Sequence, residues 1–201
     1  MKKYIFFLIL VTVIACQPKN QFKTMGTIER SDPSLDNIIS PDAKIEIIAD
    51  GFEWSEGPLW IEDQKMLLFS DVPTNTIYKW TEEKGKEVYL NPSGYTGTEK
   101  RGGEMGSNGL LLDLQGNLVL CQHGNRQMAR MDAPLNKPEA KYIAIADNYQ
   151  GKKFSSPNDA VYNSAGELFF TDPPYGLETQ SDTDPKKELP FNGVYKVKTD
   201  R

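Results

Sequence analysis

Glu56-Gly57-Pro58-Leu59-Trp60, Asn108-Gly109-Leu110-Leu111-Leu112-Asp113 and Asn158-Asp159-Ala160-Val161-Tyr162 are three copies of one opening. A turn follows each: Glu62-Asp63-Gln64, Leu114-Gln115-Gly116-Asn117 and Asn163-Ser164-Ala165-Gly166. Next comes an apolar run, Met66-Leu67-Leu68-Phe69, Leu118-Val119-Leu120-Cys121 or Leu168-Phe169-Phe170. The copies close on Ile77-Tyr78-Lys79-Trp80, Met128-Ala129-Arg130-Met131 and Val194-Tyr195-Lys196-Val197. The repeat is about 50 residues long, the size of one β-propeller blade. A propeller brings the same position of every blade to one central channel. Here that position holds Glu56, Asn108 and Asn158, all with side-chain oxygens.

Residues 43–49, 66–70, 117–121 and 167–171 alternate in polarity, with β-branched and aromatic residues inside and Gly, Asn, Asp and Pro between them. Helical periodicity is confined to weak candidates in the N-terminal segment, so an all-β chain is expected. Residues 44–201 have room for about three blades of ~50 residues, whereas a closed propeller has about 4–8. They are therefore expected to form the N-terminal half of a longer propeller. A complete small β-sandwich is the alternative, although sandwich strands recur without such a superperiod.

Lys2 and Lys3 precede a short apolar run that ends in Val13-Ile14-Ala15-Cys16. The run falls short of the ~20 residues of a spanning helix, and small Ala15 before Cys16 matches a bacterial lipobox. Residues 1–15 are expected to be a signal peptide. Cys16 is expected to carry lipid and hold the exported protein at the membrane of the cell envelope. Residues 16–43 are polar, contain Pro18, Pro33 and Pro41, and read as a flexible tether. Without Lys2 and Lys3 the balance is 21 basic to 28 acidic residues, net −7, which argues against nucleic-acid binding. Cys121 is the one other cysteine and is expected to be buried as a small hydrophobe.

The three opening side chains allow two readings. A carboxylate and two amide carbonyls suit a hard cation such as Ca²⁺ or Mg²⁺. Asn and Glu at strand starts also cap turns. A Zn²⁺ site is disfavoured, because the chain has a single histidine and its two cysteines lie far apart.

Five segments, in order, carry a resemblance to a known family: Ser55-Glu56-Gly57-Pro58-Leu59-Trp60, Ser107-Asn108-Gly109-Leu110, Cys121-Gln122-His123-Gly124-Asn125-Arg126, Ser156-Pro157-Asn158-Asp159 and Phe170-Thr171-Asp172-Pro173-Pro174-Tyr175-Gly176. They resemble the gluconolactonase/regucalcin family, and the last three its bacterial gluconolactonase branch. The resemblance runs from about Ile45 to the C-terminus. It implies a six-bladed propeller with one divalent cation, usually Ca²⁺, in the channel, and a metal-dependent hydrolase of sugar lactones. By motif, Glu56 and Asn158 match metal-site residues, and Asn108 lies in a family-like motif as a substrate-contact candidate. The family's catalytic base and remaining ligands match positions beyond Arg201, so this chain alone is expected to have little activity. Where regucalcins carry an Arg two residues before the Asn-Asp pair, this chain has Ser156. The competing function is a non-catalytic, lipid-anchored propeller that binds a carbohydrate or a protein.

The remaining candidates also have two readings each. His123 fits a supporting or substrate-contact role, with general base as the alternative. Arg126 could hold an anionic substrate group or pair with a surface acid. Asp172 could orient the metal site or cap a turn. Gly94 to Gly97 and Gly102-Gly103 read as a flexible polar loop, without the strand–loop–helix setting of a phosphate cradle.

Overall fold

The structure, a computed structural model, describes residues 22–197. The signal-peptide and Cys16 lipidation expectations lie outside these residues. The chain divides into two compact units, Met1–Ile48 and Ala49–Arg201. In the first, β1 (Lys23–Thr24) pairs antiparallel with β2 (Glu46–Ile47) around a 3₁₀ turn at Pro33–Asn37. Asp32 caps that turn by accepting from the Ser34 N–H. The described part of the expected tether thus carries local structure, while the strand expected over residues 43–49 shortens to Glu46–Ile47.

The second unit holds three main antiparallel sheets. The first runs in chain order through β3 (Ser55–Ile61), β4 (Met66–Asp71), β5 (Thr76–Thr81) and β6 (Gly85–Leu90). The second does the same through β7 (Ser107–Leu112), β8 (Leu118–Gln122), β9 (Gln127–Met131) and β10 (Tyr142–Ala146). A ribbon of β11 (Asn148–Tyr149) and β12 (Lys152–Lys153) leads to the third sheet. That sheet has three strands, β13 (Ala160–Tyr162), β14 (Leu168–Asp172) and β15 (Gly193–Val197). Among the described residues the only helical pieces are the 3₁₀ turns at Pro33–Asn37 and Glu62–Gln64. The all-β expectation is met, and the three repeat copies fall on the three sheets.

The middle sheet is covered on both sides. In β8 every residue is buried. Leu118 and Leu120 enter a cluster with Leu68, Ile77, Leu90 and Met131. Val119 and Cys121, pointing the other way, enter a second cluster with Met128, Phe154, Leu168 and Phe170. Successive side chains of a strand face opposite ways, so a strand buried on both faces reads as a continuous apolar run. Each such Leu or Val contributes about 1.5–3 kcal/mol by leaving water. Cys121 is free and buried as expected, and burial pushes its thiol pKa well up.

The repeats also share their turns. Lys65, Gly116 and Gly166 occupy the same place after the first strand of their sheets, with φ of 47°, 80° and 78°. Asp113 accepts from the backbone N–H groups of Gln115 and Asn117. Asn163 accepts from those of Ala165 and Glu167. These local bonds satisfy the chain as it reverses, the ordinary work of Asp and Asn in turns.

Candidate functional site

At the end of the sheets away from those turns lies a cavity of about 800 Å³. Glu56, Asn108 and Asn158 all line it. The expected convergence of the three openers is therefore observed. Their placement follows from the local backbone. The pairing register shifts between Glu56 and Leu59 in the first sheet and between Ser107 and Leu110 in the second. Such bulges break the ladder and re-aim side chains. Ahead of β13, the Asn158 N–H donates to Thr171 O, and the Thr171 N–H donates to Asp159 O.

Glycine sets the spacing between openers. A Cβ on Gly57 would stand 2.3 Å from the Asn108 carbonyl oxygen, and one on Gly109 would stand 2.9 Å from that of Asn158. The Gly109 N–H donates to Asn158 O at 2.8 Å, and Ser70 Oγ donates to Asn108 O at 2.8 Å. The backbones of Asn108 and Asn158 are thus each laid against the glycine of the preceding sheet.

Three carboxylates beyond Glu56 line the cavity, from Glu53, Glu104 and Glu178, and none of the lining residues is basic. Trp54 Nε1 donates to Glu56 Oε1 at 2.8 Å, which fixes one carboxylate oxygen. The Trp54 N–H is itself held by Asp71 Oδ1 at 2.9 Å. Trp54 and Tyr175 keep more than half their surface exposed at this cavity.

His123 is fully buried behind the cavity wall. Its Nε2 faces the Asn158 Nδ2 at 3.2 Å, and Glu104 Oε2 stands 2.9 Å from its Nδ1. The second contact is close but not aligned as a hydrogen bond. Gly176 packs on the ring, where a Cβ would fall 2.7 Å from the His123 Cβ. His123 thus stands behind Asn158 and is not itself among the residues lining the cavity.

Other candidates are used elsewhere. Arg126 Nε donates to the Phe154 carbonyl at 2.6 Å, and its guanidinium lies 3.4 Å from Glu188; it is not among the residues lining the cavity. Burial lowers its pKa, with Glu188 opposing that shift. Asp172 accepts from the N–H groups of Ser155 and Ser156 at 2.9 and 2.7 Å, so it caps the chain before β13. Burial raises its pKa, and the two backbone donors only partly oppose this. Asp71 likewise accepts from the backbone N–H groups of Glu53 and Trp54 in the first sheet. Ser156 Oγ donates to Pro173 O and accepts from the Gly176 N–H, so it is part of the same turn.

The loop read as flexible is pinned, a correction with a physical cause. Asn75 Oδ1 accepts from the N–H groups of Ser93, Gly94 and Tyr95. The Arg101 guanidinium donates to the carbonyls of Gly124 and Gly176, and the Tyr95 N–H donates to Met105 O at 2.7 Å. The loop thereby delivers Glu104 to the cavity. Glu104 was not anticipated, because it stands outside the repeat pattern; the nearby Arg101-Gly102-Gly103 run was the one signal available.

Among the described residues no group of three His, Cys, Asp or Glu side chains is set to hold a metal. A cation here would depend on one firmly placed carboxylate, Glu56, and on the amide oxygens of Asn108 and Asn158. Those are hard oxygen donors, which fit Ca²⁺ or Mg²⁺ in kind.

Comparison with known proteins places this geometry. Residues 54–201 match the model of the SMP-30/gluconolactonase/LRE-like region. A gluconolactonase of Zymomonas mobilis is 39% identical over 179 residues, covering 88% of this chain and 49% of that protein. A solved gluconolactonase of Xanthomonas campestris is 28% identical with a TM-score of 0.71, over 92% of this chain and 58% of that one. A solved candidate gluconolactonase is 30% identical with a TM-score of 0.70, over 85% of this chain and 54% of that one. The chain spans about half the length of the curated relative it matches. With the family motifs meeting at one cavity, the chain belongs to the SMP-30/gluconolactonase/LRE-like family.

Proposed function

We propose that the protein carrying this chain opens sugar lactones by hydrolysis, and that the three sheets are the first blades of a six-bladed propeller. The observation that carries the reading is the convergence of Glu56, Asn108 and Asn158 on one acidic cavity. The identity to a gluconolactonase over most of the chain supports it. A neutral lactone enters such a cavity without electrostatic cost. Hydrolysis makes a carboxylate, which Glu53, Glu104 and Glu178 repel, favouring release of the product. The exposed faces of Trp54 and Tyr175 offer the apolar side of a sugar ring a surface to lie on. Trp54 holds the Glu56 carboxylate in one orientation. Glu56, Asn108 and Asn158 are the residues that would hold a divalent cation, Ca²⁺ in this reading. When bound, the cation polarises the lactone carbonyl and offsets the negative charge that develops on its oxygen.

The test follows acid release from D-glucono-δ-lactone by the whole gene product, with and without a chelator, beside a Glu56→Gln variant. Cation-dependent opening that Glu56→Gln lowers by about 100-fold is expected. Opening at the uncatalysed rate would overturn the reading and favour a non-catalytic carbohydrate- or protein-binding role. Anchoring through a lipidated Cys16 in the cell envelope is part of the same proposal. A Cys16→Ser variant that stays with the membrane fraction would argue against it.

A further inference from the structure

We infer that Glu104 and His123 together set which end of the Asn158 amide faces the cavity. Glu104, His123 and Asn158 come from three separate stretches of chain, and the imidazole lies between the other two. Glu104 Oε2 is 2.9 Å from Nδ1, and Nε2 is 3.2 Å from Asn158 Nδ2. Nδ1 lies against Glu104 without the alignment of a hydrogen bond, and because a carboxylate can only accept, its charge favours the ring proton on that nitrogen. Nε2 then presents a lone pair. The partner of a lone pair must donate, so the amide turns its NH₂ toward His123. The carbonyl oxygen of Asn158 is left as the end free to serve the cavity. It accepts no hydrogen bond from another described residue.

The alternative arrangement has a cost. With the proton on Nε2, the bare Nδ1 would face a carboxylate and the amide would flip, presenting an NH₂ to a cavity already lined by Glu56. An NH₂ cannot ligate a cation or accept from a hydroxyl. Asn and Gln amides carry no charge that would otherwise decide their orientation, so the decision has to come from a neighbour. His123 is suited to impose it. It is fully buried, Gly176 packs against its ring, and Asn158 is exposed only in part. The Glu104 carboxylate reaches the ring because Arg101 and Tyr95 pin its loop. His123 and Glu104 are positioning residues here; neither needs to touch the substrate. This deepens the lactonase reading and rests on it for its effect on cation binding, but the ring tautomer is a property of the chain itself.

In protein labelled with ¹⁵N-histidine, the imidazole nitrogens of His123 are the pair of signals that disappears in His123→Gln. The Nδ1–H tautomer is expected in the unaltered chain, giving way to a mixture in Glu104→Ala. An Nε2–H ring in the unaltered chain overturns the inference. The second arm titrates Ca²⁺ by calorimetry into the unaltered protein and into Asn158→Ala, Glu104→Ala, His123→Leu and His123→Gln. Loss of an orienting partner is expected to weaken binding about tenfold or more. His123→Gln, whose Oε1 can accept from the amide, should regain most of it. Glu104→Ala lies at the edge of the cluster and keeps the test open if His123→Leu fails to fold. If Asn158→Ala weakens binding while Glu104→Ala and folded His123→Leu do not, the orienting role is overturned and the cation site stands. If the unaltered protein binds no Ca²⁺, the cation reading falls and the tautomer spectrum decides the inference.

Discussion

The two ends of the sheets have nearly the same composition and opposite uses. At the turn end, Asp113 and Asn163 spend their oxygens on backbone N–H groups two and four residues ahead. At the cavity end, Glu56, Asn108 and Asn158 face a shared space, with Trp54 on the Glu56 carboxylate and His123 on the Asn158 amide. An oxygen that closes a local turn contributes to stability. One kept off the local backbone is available to a ligand. Asp71 and Asp172, at the cavity ends of β4 and β14, spend their oxygens on backbone as the turn residues do, each accepting from two N–H groups of a segment 16 to 18 positions earlier.

Substitution should separate the two ends cleanly. The largest effect belongs to Asn158→Ala in the whole protein. Lactone opening is expected to drop about 100-fold, while chemical denaturation shows a loss below about 1 kcal/mol. Equal damage to stability would erase the contrast. Asp172→Ala should do the reverse, costing about 2–4 kcal/mol because two buried donors lose their acceptor. Its pH dependence sharpens the point. Burial raises the folded-state pKa, so the proton binds the folded state more tightly. The stabilisation from that proton is present in acid and fades as pH rises above the ordinary value of 3.8 and through the raised one. Unfolding of the unaltered protein and Asp172→Ala across that range should show their difference narrowing toward neutral pH. Asp113→Ala is expected to cost only about 1 kcal/mol, with activity unchanged. Smallest is Lys65→Gly. Lys65 adopts φ of 47° where its two counterparts are glycine. Relief of about 1–2 kcal/mol of left-handed strain, offset by glycine's greater freedom when unfolded, should leave a gain of about 0.5 kcal/mol in the same assay.

This contrast also explains how far the sequence could be read. The repeats were legible because they are local: an opener, a turn and an apolar run recur in register, and the three sheets follow them. Glu56, Asn108 and Asn158 were legible as equivalent positions for the same reason. Arg126 was not, because its partners Phe154 and Glu188 are 28 and 62 positions away and belong to no repeat. The sequence allows Asp172 two uses, and the choice between them depends on two buried amides that no local pattern announces. Glu104 was missed since a loop becomes fixed through distant carbonyls, those of Gly124 and Gly176.

Gly57 and Gly109 turn the cavity into a matter of gauge. Each opener rests against the next through a gap that admits a hydrogen but no methyl group. The separation between Glu56, Asn108 and Asn158 is thus a bore machined by two absent side chains. An alanine at either position adds no charge and removes no ligand, yet its methyl group would push Asn108 or Asn158 away from the preceding sheet. Its signature would be a site with every donor in place and the wrong diameter, one that still binds a cation but favours a larger ion over a smaller one.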